Sequence, residues 1–160
     1  MKKCRIGIIS DTHGLLRPEV LEVLEMCDYI IHGGDINKAE VLEELNRIAP
    51  VYVVRGNNDK AQWAEELPEE LYFEIADMKF YMVHNKKCIP EKLSQVSAVI
   101  FGHSHKYFCE EKDGVLWLNP GSCGKRRFDQ QITITMAVME IHDGRYMVEK
   151  IELDQERQEV

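Results

Sequence analysis

The order of hydrophobic segments in the first fifty-odd residues restricts the fold more than any other feature of the chain. Cys4 to Ser10 is a short isoleucine-rich run bounded by polar residues, the pattern of a strand buried on both faces. Arg17 to Cys27 follows, with Pro18 near its first turn and Val20, Leu21 and Leu24 at helical spacing, which predicts an amphipathic helix. Asp28 to His32 is a second apolar run. Asn37 then stands three residues before Glu40, a capping pattern, and Val41, Leu42, Leu45 and Ile48 recur on one helical face. Val51 to Val54 completes strand, helix, strand, helix, strand, an order that short right-handed connections turn into a parallel sheet.

The pattern then changes to hairpins. Leu71 to Ala76 and Lys79 to Val83 flank Asp77-Met78, and Tyr107 to Glu111 and Val115 to Leu118 flank a turn at Asp113-Gly114. Ile132, Ile134, Met136 and Val138 alternate with smaller residues before Asp143-Gly144 turns the chain into Tyr146 to Leu153. The second half is therefore expected to be mainly antiparallel. An α/β first half joined to a β-rich second half predicts an α/β (α+β) fold, with two sheets face to face and helices on their outer sides.

With 160 residues, 44% hydrophobic and 30% charged, one core is expected, giving a single domain over residues 1–153 and a polar tail at 154–160. A net charge of -8 argues against a broad phosphate-backbone-binding face, so no long nucleic acid is expected as a partner. The five cysteines include no pair two residues apart, which suggests reduced thiols and neither a disulfide framework nor a thiolate zinc site. The amino-terminal apolar run is too short and wrongly ended for a secretory signal. No apolar stretch is long enough for a membrane span. A cytoplasmic protein is the expectation.

Metal-capable residues fall at strand ends. Asp11-Thr12-His13-Gly14 follows the first strand, Gly33-Gly34-Asp35 the second and Gly56-Asn57-Asn58-Asp59 the third; His84-Asn85 and Gly102-His103-Ser104-His105 follow later runs. Loops beyond the carboxyl ends of parallel strands converge although distant in sequence. In an extended segment, residues two apart point to one side, so Asp11 with His13, and His103 with His105, are each expected to aim as a pair. Two carboxylates, an amide and four imidazoles exceed the needs of one four-coordinate ion and suit two sharing a carboxylate. The absence of thiolates favours first-row divalent cations, Mn2+ first, with Ni2+, Fe2+, Zn2+ or Co2+ as alternatives.

This ordered set, continued by Asn119-Pro120-Gly121-Ser122, resembles the calcineurin-like metallophosphoesterase superfamily, in particular its small YfcE-type phosphodiesterases, which are similar to the retromer subunit of eukaryotes. The resemblance implies a four-layer αββα sandwich. It also implies that Asp11, His13 and His105 hold one ion, that Asn57, His84 and His103 hold another, that Asp35 bridges both, and that a hydroxide between the ions attacks a phosphodiester. Many larger members carry a histidine where Asn58 stands, in a catalytic position. An amide cannot give up a proton as an acid does, so low intrinsic activity and a bias toward diesters or esters with good leaving groups are expected. Asn85 departs from the glycine usual at its place.

Simpler readings accompany these. Asp11, Asp35 and Asp59 are each ordinary turn residues taken alone, although Asp59 also suits a role behind the ligands. His32 reads as structural and His142 as solvated. Lys125-Arg126-Arg127 is either a rim for substrate phosphate or a solvated loop, and Trp63, Tyr72 and Trp117 read as packing. The favoured function is hydrolysis of a small phosphate ester; the alternatives are a protein-interaction scaffold of the same fold and a phosphomonoesterase. A homo-oligomer stays open.

Overall fold

The computed structural model describes residues 3–124 and 133–153. Its first elements are the alternation read from sequence: β1 (Cys4–Ile9), α1 (Pro18–Leu24), β2 (Tyr29–His32), α2 (Ala39–Ile48) and β3 (Val51–Val53). β1 pairs parallel with β2, and β2 with β3, so each helix is a crossover. Proline opens α1, where its missing N–H leaves no bond unmade. The helix stops before Cys27 because the amides of Met26 and Cys27 turn back to Val23 O and Leu24 O, tightening the last turn. α2 begins at Ala39 with Lys38 ahead of it and no side-chain cap. The expected Asn37 cap is not made, because Asn37 has φ 70° and gives its backbone N–H to Asp59 Oδ1 at 2.8 Å.

Five strands follow: β4 (Glu70–Ile75), β5 (Met78–Val83), β6 (Ala98–Ile100), β7 (Tyr107–Lys112) and β8 (Val115–Pro120). They form a sheet of order β4-β5-β6-β8-β7. The last two strands, β9 (Thr135–His142) and β10 (Arg145–Glu152), join the first sheet, whose order is β10-β9-β1-β2-β3. Asp113-Gly114 and Asp143-Gly144 have positive φ at both positions, the conformation of two-residue hairpins. In the first hairpin the turn is Ala76-Asp77, at φ 50° and 66°, one residue earlier than expected. Met78 is drawn out of the turn because it pairs with Ile75 and is buried in the core.

The expectation of a mainly antiparallel second half needs correction. β6 lies parallel to both β5 and β8, and only the edge strands β4 and β7 pair antiparallel. The connection over residues 84–97 returns the chain across the outer face of the sheet, and β7 folds out as an edge so that β8 takes the place beside β6. Both sheets are therefore mixed, and each has parallel strands at its centre whose carboxyl ends can carry a site.

Between the sheets, Ile6, Ile8 and Ile31 meet Phe80, Met82, Ile100 and Leu118, and Phe73 stacks between Tyr52 and Phe80 with centroids 4.5 and 5.0 Å away. On the outer face of the first sheet, Val20 and Leu24 of α1 and Val41 and Leu45 of α2 cover Ile9, Ile30 and Met136. β9 is buried on both faces because Ala137, Met139 and Ile141 enter the core between the sheets while Met136 packs in the outer cluster with α1 and α2. The layer outside the second sheet is thin: Ile89, Leu93 and Val96 cover Tyr81, Val99 and Phe101, with a short 3-10 turn at Lys86–Cys88, whereas the 3-10 turn at Gln62–Glu66 sets Trp63 against the outer cluster of the first sheet. Trp63 and Trp117 pack against these outer clusters, and Tyr72 is half-exposed with its ring on Tyr81. Among the described residues no helix is long and apolar enough to cross a membrane. Ile132, the basic run Lys125 to Arg127 and the tail 154–160 lie outside the described residues.

Candidate active site

All seven anticipated donors come from loops following β1, β2, β3, β5 and β6, and the fold brings them to one edge of the sandwich. Asp11 is at the centre. Its Oδ1 lies 3.3 Å from Nε2 of His105, 3.7 Å from Nε2 of His13 and 3.8 Å from Nε2 of His84. Asp35 Oδ2 lies 3.2 Å from Nε2 of His84 and 3.7 Å from Nε2 of His13. The Nε2 atoms of His13 and His105 are 3.3 Å apart. Beside them, Nδ1 of His103 stands 3.3 Å from Asn57 Oδ1, and its ring meets that of His84 edge-on. Asn57 and His103 are exposed, whereas Asp11, Asp35, His84 and His105 are buried.

The structure brings the residues of the spacing argument together, but through a different local geometry. Asp11, His13, Asp35, His103 and His105 all have φ between 47° and 74°, so neither the Asp11–His13 pair nor the His103–His105 pair is extended. Left-handed turns aim these side chains, and His103 and His105 separate, the first toward His84 and the second toward His13. Non-glycine residues in this region each carry strain of order 1–3 kcal/mol and persist only where surrounding bonds impose them.

Those bonds are visible. Asp59 is 1% exposed, and its carboxylate accepts the backbone N–H groups of Asp35, Ile36, Asn37 and Gly56 at 2.8–3.0 Å. It ties the loop after β2 to the loop after β3. His32 is fully buried: Nδ1 accepts the Gly34 N–H, so Nε2 carries the hydrogen donated to Thr12 Oγ1. Burial, with the repulsion of His84 added, holds this imidazole near a pKa of about 4 against the attraction of Asp11, Asp59 and Asp35, so it is neutral. Asn58 gives its backbone N–H to Asp35 Oδ1 and its amide N–H to Asp35 Oδ2, at 2.9 and 3.3 Å. His142 lies away from the site, half-exposed and 3.4 Å from Asp143.

Three supporting residues escaped individual notice in the sequence. Asn119 donates to Gly102 O and to Ser104 Oγ, both at 3.1 Å, Ser122 Oγ donates to Asp11 O and Ser10 Oγ donates to Asp11 Oδ2 at 2.7 Å. Their signals were the run Asn119-Pro120-Gly121-Ser122 and, for Ser10, a polar residue directly after an apolar strand. Two glycines are required for close approach: a Cβ on Gly56 would collide with Asp35, and one on Gly102 with Ser10 and Asp11.

The electrostatics favour anionic carboxylates. Burial opposes ionisation of Asp11, but the adjacent imidazoles of His105 and His13, the charge of His84 and the Ser10 hydroxyl outweigh it and hold the carboxyl well below the usual range. Asp35 is lowered likewise, against its own burial, chiefly by His84. His84 is raised: burial works against its charged form, but Asp35 and Asp11 prevail. Its Nδ1 faces Gly33 O at 2.7 Å, an acceptor only, which turns Nε2 toward the carboxylates.

Asp11 Oδ1 and His84 Nε2 are buried without a hydrogen-bond partner. Unpaired buried polar atoms are costly, and two of them aimed at one point mark a place for a ligand. Asp11, His13 and His105 form one group, and Asp11, Asp35 and His84 another, whose donor atoms lie within 4.8 Å of one another. Oxygen and imidazole donors without thiolate fit a divalent first-row cation.

A sandwich of two mixed sheets with such donors gathered at its strand ends is the architecture of a metallophosphoesterase. Residues 4–144 match the calcineurin-like phosphoesterase superfamily domain, and the chain belongs to that family. A phosphodiesterase of Methanocaldococcus jannaschii is 33% identical, over 74% of this chain and 84% of the relative. Phosphodiesterase YfcE of Escherichia coli is 26% identical, over 74% and 78%. The fold is also that of Vacuolar Protein Sorting 29 from Cryptosporidium parvum, with a TM-score of 0.74 at 22% identity over 96% of this chain and 99% of that one. The family expected from the ordered motifs is thus the family found.

Proposed function

We propose that this protein is a phosphodiesterase that uses two divalent ions, with Asp11, His13 and His105 holding one, Asn57, His84 and His103 the other, and Asp35 shared. The observation that carries this reading is the partnerless Oδ1 of Asp11, buried within 3.8 Å of three imidazole Nε2 atoms. Mn2+ is the first candidate, followed by Ni2+, Fe2+, Zn2+ and Co2+. When bound, two such ions supply charge to neutralise phosphoryl oxygens and lower the pKa of water from about 15.7 to about 7. The chain's own part is to hold seven donors in place and to keep Asp35 turned inward through the two bonds from Asn58. The substrate is a small phosphate ester, because a net charge of -8 repels an extended polyanion. A cytoplasmic, single-domain protein over residues 1–153 fits this reading.

The test is hydrolysis of bis-p-nitrophenyl phosphate by purified protein. Activity is expected with added Mn2+ and its loss with a chelator; silence with all five metals would favour the scaffold, which needs no reaction. The enzyme is preferred because all seven positions carry competent donors. Comparing mono- and diester rates separates the phosphomonoesterase.

Asn58 is the candidate for tuning leaving-group preference. Asn58→His is expected to raise turnover of a diester with a poor leaving group by about a hundredfold, the lower end of the range of general acid catalysis, and to change activated p-nitrophenyl diesters much less. Equal rates on the poor leaving group in the two proteins would count against the role.

A further inference from the structure

We propose that Asn37 is a positioning residue that fixes the ring of His13, an inference that rests on the reading of His13 as a cation-holding group. The side-chain amide nitrogen of Asn37 lies 3.2 Å from Nδ1 of His13, while Nε2 of the same ring faces His105, Asp11 and Asp35. An imidazole that offers its Nε2 lone pair to a cation carries its hydrogen on Nδ1, and that hydrogen needs an acceptor. His84 has one in the rigid carbonyl of Gly33. For His13, among the described residues, the amide of Asn37 occupies the corresponding place. A half-turn of that amide exchanges its two ends and presents Oδ1 to the Nδ1 hydrogen without moving the backbone.

The backbone of Asn37 is itself held. Its N–H is bound by Asp59 Oδ1 at 2.8 Å, and its φ of 70° is a conformation that asparagine tolerates better than most residues. Asp59 therefore orders the backbone from which the Asn37 side chain reaches His13. Because Asn37 is exposed, removing its side chain opens no cavity, and because glycine adopts positive φ freely, Asn37→Gly leaves the loop path available.

The experiment uses the full chain stripped by chelator and titrated with Mn2+ in a calorimeter, with urea unfolding of the metal-free protein alongside. Asn37→Gly is expected to weaken Mn2+ binding about tenfold to a hundredfold, the usual effect of losing a partner behind a ligand, with an unfolding midpoint no lower than that of the unchanged protein. Asn37→Asp keeps an acceptor against Nδ1 and is expected to restore or exceed the original affinity. Unchanged affinity in Asn37→Gly overturns the inference, and so does equal weakening in both variants. If the unchanged protein takes up none of Mn2+, Ni2+, Fe2+, Zn2+ and Co2+, the metal-site reading itself fails, a result separable from a defect confined to the variants.

Discussion

Asp11→Asn is expected to lower diester hydrolysis about a thousandfold, equivalent to about 4 kcal/mol of lost transition-state stabilisation, while the protein stays folded. The substitution is nearly isosteric. The remaining oxygen can stay on the Ser10 hydroxyl and the His103 N–H, which Oδ2 now accepts at 2.7 and 3.1 Å. The amide nitrogen then stands where Oδ1 faces three imidazoles, placing a donor at the point a cation would take. Turnover at saturating Mn2+, metal content by elemental analysis and circular dichroism together check this. Hydrolysis within tenfold of the original would show that Asp11 lies outside the reacting centre.

Asp59→Ala is expected to destabilise the protein by about 4 kcal/mol or more and to abolish metal uptake. Four backbone donors lose their acceptor at once, and a buried hydrogen bond to a charged group contributes about 1.5–3 kcal/mol before non-additivity is considered. Against a usual total of about 5–15 kcal/mol, that is a large share. Asp59→Asn turns an amide toward two of the four donors and is expected to lie between the alanine variant and the original. Urea midpoints at an unchanged slope measure both effects. Variants within 1 kcal/mol of the original would show that the loops after β2 and β3 hold together without this carboxylate.

Much of this site was legible because its signals are local. Strand-end placement of Asp11, Asp35 and Asn57 follows from short apolar runs that end in glycine-flanked polar residues, and convergence follows from the parallel order that β1, α1, β2, α2 and β3 impose. His84 and His103 were legible as strand-end residues even though the sheet carrying them was misjudged: β5, β6 and β8 run parallel, and no periodicity distinguishes a parallel centre from two antiparallel hairpins. The role of Asn37 was misread for a related reason. A residue three before a glutamate satisfies the capping pattern, but the competing acceptor, Asp59 Oδ1, comes from 22 residues away and no local window contains it.

Residue type and order alone pointed to the candidate donors and the two-sheet class, because side-chain chemistry and hydrophobic period are properties of short stretches, and the family was legible through the resemblance of the ordered motifs. Tertiary structure decided what holds those donors: the left-handed backbone at Asp11, His13, Asp35, His103 and His105, the four-amide clasp of Asp59, and the bonds of Asn119 and Ser122 to neighbouring loops. Backbone strain of this kind is stable only when groups distant in sequence supply the compensating hydrogen bonds, and which groups meet is settled by the packing of the two sheets.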